Sequence, residues 1–249
     1  MRPALWLAAG VVALAAIVAT VAILALDPFS WSSGDGNAGE SSLQKTLRKM
    51  VLLENDLPEA LIKGDESFTT NQTLASTGTD PEARKALLEG WGRVLGFEIT
   101  YGPAGAGVGD LPVRGVNVSA SLYKTAEGAG ESFADAVKTA EETDWAANYA
   151  GFKEFEQERI KADGLVDEIV WLRLSGIQPG TSGPDTLVTD DLIFFRIGTE
   201  RGFLRVLANA TETQDRAHLQ STVESWLRTL VQNVKDALTD SGTGNGNGR

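Results

Sequence analysis

Acidic residues occur in clusters along the chain, and the pair Asp167-Glu168 stands out because it leads into an otherwise apolar segment, Ile169–Leu174. Two carboxylates can hydrolyse glycosidic bonds when their side chains lie about 5–10 Å apart, one acting as acid and the other as base or nucleophile. The chain has 34 Asp and Glu residues, so close carboxylate pairs are expected from their number alone. We interpret the clusters as solvated surface and keep a carboxylate-dependent hydrolase as the alternative function.

Aromatic and cationic side chains recur on the expected strands, at Trp171, Arg173, Arg196 and Arg205. On an open sheet face such residues could bind an anionic or sugar-like ligand through stacking and bidentate hydrogen bonds. They could equally be structural, with Trp171 in the core and the arginines paired with neighbouring carboxylates, and residue-type statistics favour this interpretation. The candidate ligand-binding residues are Trp171, Arg173, Arg196, Asp167 and Glu168.

The composition excludes several kinds of catalytic and metal site. The chain contains no Cys and a single His, His218. Disulfides, thiol catalysis, Cys-ligated zinc and multi-histidine metal sites are therefore ruled out. No Gly-x-Ser-x-Gly elbow accompanies His218, and the glycine-rich segment 102–109 (GPAGAGVG) lacks the third glycine and the helix of a dinucleotide fingerprint. We expect no catalytic residue, no cofactor and no metal, and hence a protein that is not an enzyme.

The charge balance bears on partners. With 22 basic and 34 acidic residues, the formal charge is −12. Binding to nucleic acid depends on clustered Lys and Arg that neutralise phosphates, so we expect no nucleic-acid partner. Net charge does not describe distribution, however. A local group of arginines on one side, drawn from Arg84, Arg93, Arg114, Arg196 and Arg205, would create an exception.

Residues Ala4–Leu26 form an uncharged run in which Thr20 is the only polar residue. A helix of this length spans roughly 34 Å, enough to cross a hydrocarbon core of about 30 Å. Arg2 precedes the run and Asp27 follows it, so the positive-inside rule predicts a cytoplasmic N-terminus and an extracytoplasmic body. The alternative is a cleaved secretory signal, although its apolar region is usually about 7–15 residues. We expect a retained, single-pass membrane anchor.

The rest of the chain divides by composition into three parts. Residues 27–42 are rich in Gly and Ser, which is typical of a flexible stalk. Residues 240–249 end in SGTGNGNGR, which has no apolar residue and is expected to be disordered. We therefore predict an anchor at 1–26, a stalk at 27–42, one extracytoplasmic domain at 43–239, and a disordered tail at 240–249.

Hydrophobic periodicity in the body predicts helices and strands in an irregular order. Helices are expected after Ser41, after Asp80-Pro81 and at 126–143, and the clearest amphipathic helix carries Leu219, Val223 and Trp226. Alternating segments such as Gly115–Tyr123 predict about six strands, mostly joined as hairpins. We expect an α+β fold with a mainly antiparallel sheet and helices packed on one face.

Five segments carry a resemblance to a known kind of domain: LLENDLPEAL (52–61), EGWGRVLGFEITYG (89–102), SLYKTAEGAGESFADAV (121–137), VDEIVWLRL (166–174) and IFFRIGTERGFLRVLA (193–208). The chain resembles uncharacterised bacterial secreted or lipoprotein-type α+β domains, in which a "DLP" opening and an "FR-G" hairpin occur in this order. It is also loosely similar to the PsbP/Mog1-like architecture. Lipoproteins carry a Cys at the membrane exit and this chain has none, so the resemblance implies a protein anchor in place of the lipid. It implies no established activity.

Two functions from different classes remain after these considerations. We favour a non-catalytic extracytoplasmic module, held at the membrane, that binds a small ligand, a cell-wall component or a protein. A pocket lined by aromatic residues and Arg would support binding. A pocket holding Asp167 or Glu168 near a second carboxylate would instead support the hydrolase.

Overall fold

The computed structural model describes residues 40–104, 112–162, 164–180, 185–210 and 213–243. The expected anchor, residues 27–39 of the stalk, the glycines at 105–109 and the last residues of the tail lie outside this part of the chain. No helix within it is long and apolar enough to cross a membrane. The described part contains six α-helices: α1 (Ser42–Lys49), α2 (Asn71–Ala75), α3 (Pro81–Gly90), α4 (Ala126–Glu142), α5 (Trp145–Asn148) and α6 (Thr213–Thr243).

Seven strands form one antiparallel sheet, which confirms the α+β class. They are β1 (Leu61–Thr69), β2 (Arg93–Pro103), β3 (Val113–Tyr123), β4 (Lys153–Ile160), β5 (Glu168–Gln178), β6 (Thr186–Ile197) and β7 (Glu200–Ala210). Their spatial order is β1-β2-β3-β7-β6-β5-β4, and every neighbouring pair is antiparallel. Both edge strands carry charged residues, which discourages pairing with another chain.

The sheet has one more strand than the sequence predicted. Strand β1 has the sequence LIKGDESFT, and only its first residue, Leu61, is fully buried. It lies at the sheet edge and pairs with β2 alone. An edge strand with solvent on most of its surface does not require apolar alternation, so periodicity could not identify it.

The prediction that the helices cover one face of the sheet is wrong, since they cover both. Leu204 and Val206 of β7 belong to a core shared with α1 and α6. Phe203, which points the other way, packs with Ala140 of α4 and Trp145 of α5. Strands β6 and β7 contain continuous apolar runs, and such runs are typical of strands buried on both sides.

The face under α6 holds most of the core. Leu219, Val223 and Trp226 along α6 are buried against it, as predicted from their spacing, together with Leu230 and Val234. Helix α1 packs beside α6 and begins after Ser41, as predicted. Ser41 and Gln44 form a capping box, in which each side chain accepts a hydrogen bond from the backbone N–H of the other residue. The larger cavity described below lies on the opposite face of the sheet.

Helices α3 and α4 are held together at one end. Asp80 caps α3, accepting a hydrogen bond from the Ala83 backbone N–H at 3.0 Å, and Pro81 occupies the first turn. The first turn of α4 packs against the C-terminal end of α3, where Gly128 lies against the Trp91 carbonyl. A Cβ atom at Gly128 would lie only 1.9 Å from that oxygen. The two helices therefore meet at this end and lie over the second face of the sheet.

Candidate functional site

A cavity of about 570 Å³ lies between the second face of the sheet, α3 and α4. This volume is in the range of small-molecule binding sites. Its floor comes from strands β2, β3, β7 and β6, and its walls from α3, α4, α5 and the segment 74–80. The floor residues are Glu98, Asn117, Ser119, Ser121, Leu192, Phe194, Arg201, Phe203 and Arg205.

Strand register orders the floor into rows. Ser121 of β3 lies opposite Arg201 of β7, and the next cavity-facing pair is Ser119 with Phe203. In the row after that, Asn117 lies opposite Arg205. Because side chains alternate between the two faces of a sheet, every second residue of each strand faces the cavity. The floor thus has arginines at Arg201 and Arg205 with an aromatic ring between them.

Glu98 lies on β2, and its carboxylate contacts Asn117 of β3. The Asn117 Nδ2 group donates to Glu98 Oε1 at 2.9 Å. Burial raises the pKa of Glu98 to about 7, against the lowering effect of this hydrogen bond. Asn117 is only 9% exposed, and its Oδ1 atom has no hydrogen-bond partner among the described residues. A donor group on a ligand could satisfy this acceptor.

Arg205 is held in place by the Asp190 carboxylate. Its Nε donates to Asp190 Oδ1 at 2.9 Å and its Nη2 donates to Asp190 Oδ2 at 2.8 Å. The Tyr149 hydroxyl donates to the same carboxylate at 2.7 Å. Burial lowers the pKa of Arg205, but Asp190 outweighs this effect and the pKa is raised. Burial and the adjacent Asp190 also raise the pKa of the Tyr149 hydroxyl. The guanidinium is therefore a fixed, charged group at the cavity floor.

Arg93 lines the other end of the cavity and is only 4% exposed. Its guanidinium donates to the Thr69 carbonyl and hydroxyl, to Asn71 Oδ1 and to the Ser121 hydroxyl, at distances of 2.7–3.3 Å. All of these acceptors are neutral. Arg93 thus ties β1, α2 and β3 together while keeping a positive charge beside the cavity.

Two more arginines line this end of the cavity. Arg84 on the α3 wall pairs with Asp135 of α4, with Nη1 and Oδ2 3.0 Å apart. Arg201 on the floor donates from Nη1 to the carbonyl and hydroxyl of Ser132 at 3.4 and 3.3 Å. Among the described residues, no carboxylate lies within ion-pair distance of Arg201.

Apolar and aromatic side chains form another part of the lining. The Phe194 and Phe203 rings lie 5.0 Å apart in a tilted arrangement on the floor, and Leu192 and Trp145 continue this surface. Leu87 of α3 lies at the cavity and is 40% exposed. The cavity therefore combines an aromatic surface with fixed polar groups, which is typical of sites for small organic ligands.

Two of the residues predicted from the sequence lie on the opposite face of the sheet. Trp171 and Arg173 are each 1% exposed. The Trp171 indole N–H donates to Asp191 Oδ1 at 2.7 Å, and Arg173 binds both oxygens of the same carboxylate at 2.7 and 3.1 Å. Arg173 also donates to Gln220 of α6. The structure therefore gives these two side chains buried protein partners away from the cavity.

The other predicted residues form a surface cluster at the start of β5. Arg196 Nε donates to Glu168 Oε2 at 2.5 Å, and Arg196 Nη1 lies 3.6 Å from Asp167 Oδ2. Asp167 also accepts from the Gly198 backbone N–H in the β6–β7 turn. None of the three lines the cavity. Arg205, which was expected on a strand as Arg196 was, does line it.

Glu98, Asn117 and Arg201 were not among the site residues predicted from the sequence. One pattern in the sequence bears on them. Strand β3 (VRGVNVSASLY) alternates apolar residues with Asn117, Ser119 and Ser121, while the apolar runs of β6 and β7 indicate that both faces are covered. Polar residues on a covered face indicate a cavity or a polar network. Among the described residues, no group of three or more His, Cys, Asp or Glu side chains could hold a metal ion.

Comparison with known proteins leaves the chain without an assigned family. No protein-family model matches it, and no curated protein matches it. Among solved structures, the chain is similar to the extracellular domain of PknH from Mycobacterium tuberculosis. The TM-score is 0.47 and the identity is 10%, over 83% of this chain and 100% of that one. This similarity is too low to assign the chain to a family.

Proposed function

We propose that residues after the apolar run form a non-catalytic, extracytoplasmic ligand-binding module held at the membrane. The single observation that supports binding is the cavity of about 570 Å³, with aromatic residues and arginines on its floor. Apolar walls supply most of the binding free energy in such sites, and a few fixed polar groups orient the ligand.

The cavity is already organised for binding. Arg205 is held by Asp190, which is fully buried, and Tyr149 binds the same carboxylate. Holding a polar group in place before the ligand arrives lowers the entropic cost of binding. The apolar surface formed by Phe194 and Phe203 is likewise packed in place. A small aromatic or aliphatic ligand should therefore bind without rearrangement of the sheet.

Direct titration of an uncharged aromatic probe, 2-naphthamide, tests cavity binding. The full chain is held in phosphatidylcholine nanodiscs, and empty nanodiscs serve as the blank in calorimetry. We expect saturable 1:1 binding. Ser119 lies half-buried on the floor and points into the cavity, so Ser119→Phe should fill the space and weaken binding by about tenfold or more.

Ser225→Phe is the matched control, because Ser225 is exposed on α6, on the other side of the sheet. This variant should bind the probe like the parent. Absence of saturable binding to the parent, or an equal loss in both variants, would contradict the proposed cavity function.

The extracytoplasmic location rests on the sequence alone. The run Ala4–Leu26 is long enough to span a membrane, with Arg2 on one side and acidic residues on the other. The full-length protein should then partition with membranes, and protease added outside intact cells should digest the body. Protection of the body from external protease would contradict this orientation.

The hydrolase alternative is now best centred on Glu98, because this carboxyl lines the cavity and has a pKa of about 7. A general acid functions best when its pKa lies near the working pH. Asp80 and Asp135 are the other carboxylates at the cavity. A panel of 4-nitrophenyl glycosides tests this alternative. Turnover that falls about a hundredfold in Glu98→Gln would favour the enzyme, and no turnover is expected for a binding module.

A further inference from the structure

We propose that the end of the cavity formed by Arg84, Arg93 and Arg201 binds an anionic group, a carboxylate or a phosphate, attached to an apolar ligand. This inference rests on the proposed function, since it specifies the ligand that the cavity takes. Two observations support it: the hydrogen bonds that these arginines make, and the small number of described carboxylates that form ion pairs with them.

Arg201 has N–H donors that no described residue accepts. It is half-buried on the floor, opposite Ser121. Its hydrogen bonds to described residues are the two long ones from Nη1 to Ser132. Its Nε and Nη2 groups make no hydrogen bond to any described residue. A guanidinium with Nε and Nη2 free presents the two parallel donors that bind a carboxylate or phosphate bidentately.

Arg93 adds a positive charge that forms no ion pair with any described carboxylate. Its five N–H groups all donate to neutral acceptors, so it contributes electrostatics and not a direct ligand contact. Burial lowers its pKa to about 10, and the positive charges of Arg201 and Arg84 act in the same direction. Arg93 is therefore still charged at pH 7, and an anion placed nearby would relieve the repulsion among the three arginines.

Among the described residues, Asp135 is the one cavity carboxylate that forms an ion pair with these arginines. Asp135 pairs with Arg84, and Asp80 accepts from the Ala83 backbone N–H as a helix cap. Glu98 keeps a raised pKa, with burial as the main cause and only Asn117 acting against it. A carboxylate serving as counter-ion to the arginines would have a lowered pKa instead. Three arginines thus share one acidic ion-pair partner among the described residues.

The apolar part of the ligand would lie on the adjacent row of floor residues. Phe203 lies two residues from Arg201 on the same face of β7, and Phe194 packs against Phe203. A ligand whose anion lies on Arg201 would therefore place its apolar body on the two rings. The whole chain carries a net charge of −12, so attraction of an anion must arise locally.

The test compares 2-naphthoate with 2-naphthamide, which has the same shape without the charge, on the full chain in phosphatidylcholine nanodiscs. The parent should bind naphthoate more tightly, by about tenfold. Added salt should weaken naphthoate binding and leave naphthamide binding unchanged. A third probe, 2-naphthyl phosphate, distinguishes the two anion classes, and tighter binding of either anion supports the proposal.

Variants of Arg201 locate the anion. Arg201→Gln should remove the preference for naphthoate, by about tenfold, and leave naphthamide affinity unchanged. Arg201→Lys should restore part of the preference, because it keeps the charge and loses the fork. Arg159→Gln is the control, since Arg159 is exposed at the β4 edge and pairs with Glu141 outside the cavity. It should change neither affinity.

The two proposals fail in different ways. If naphthamide binds and Ser119→Phe abolishes this binding, but neither anion binds more tightly, the cavity function stands and the anion site is wrong. An equal loss of both probes in Arg201→Gln would indicate a structural role for Arg201 and also overturn the anion site. The comparison of probes and salt on the parent alone remains decisive if Arg201→Gln does not fold.

Discussion

The Asn117 side chain donates from Nδ2 to Glu98 Oε1 at 2.9 Å, and no described residue binds the Oδ1 atom of the same amide. The two residues lie on adjacent strands at the cavity floor. A buried carboxyl with one hydrogen bond and no described ion pair favours its protonated form. This pair therefore links the protonation state of the cavity to the stability of the fold.

Replacing Glu98 by Gln should change how stability depends on pH. The folded pKa of about 7 exceeds the ordinary value of 4.5, so folded protein holds the proton more tightly than unfolded protein does. The contribution of Glu98 to stability therefore falls as pH rises from about 4.5 to about 7. We expect Glu98→Gln to be more stable than the parent at pH 8, by about 1–3 kcal/mol, and equal to it at pH 4. Urea denaturation at both pH values measures this.

Glu59→Gln is the control, because Glu59 is at an exposed position, and it should show no such difference. An equal gain in stability at both pH values for Glu98→Gln would contradict the prediction.

Removing the Asp190 carboxylate should destabilise the fold strongly. Asp190→Ala leaves the Arg205 guanidinium and the Tyr149 hydroxyl without their shared buried acceptor. Loss of one partner of a buried ion pair costs about 3–5 kcal/mol, which urea denaturation would detect. Asp185→Ala is the control, because Asp185 forms an exposed pair with Lys153 and should cost less than about 1 kcal/mol. Similar values for the two variants would show that the buried pair is not essential.

Two glycines in helix α4 should respond oppositely to the same substitution. A Cβ at Gly128 would collide with the Trp91 carbonyl, whereas a Cβ at Gly130 would meet only Arg196 Nε at 3.9 Å. Gly128→Ala should therefore destabilise by about 1–3 kcal/mol or more. Gly130→Ala should stabilise by about 0.5–1 kcal/mol, because alanine favours the helix. Thermal unfolding of both variants gives the comparison, and a Gly128→Ala protein as stable as the parent would exclude the close contact with Trp91.

Trp226 should be essential for docking of α6 on the sheet. Its side chain is buried in the core formed by α6, α1 and the sheet. Trp226→Ala should cost about 3–5 kcal/mol, the usual effect of emptying a large aromatic site. Ser225→Ala, one residue earlier and exposed, should change stability by less than about 0.5 kcal/mol. Chemical denaturation compares the two, and equal stabilities would mean that α6 docks differently.

The helices with strong local patterns could be predicted from the sequence. The capping box at Ser41, the Asp80-Pro81 start and the spacing of Leu219 and Val223 all depend on residues within one turn or a few turns. Strand β3 could likewise be predicted, because Gly115–Tyr123 alternates between apolar and polar residues. Strand β1 was not predicted, because its Lys63 and Asp65 lie at a solvent-exposed edge where no buried face requires apolar residues.

The sequence by itself determined the α+β class and the antiparallel pairing, because amphipathic periodicity and hairpin connections are local properties. The grouping of Glu98, Asn117 and Arg201 was decided only by the tertiary structure, since these residues come from three strands aligned by register. Register and the docking of α3 and α4 are long-range contacts that no local pattern specifies. Arg205 and Arg173 lie on different faces of the sheet for the same reason. Arg205 at the cavity pairs with Asp190, whereas Arg173 pairs with Asp191, and these two consecutive residues point to opposite faces of β6.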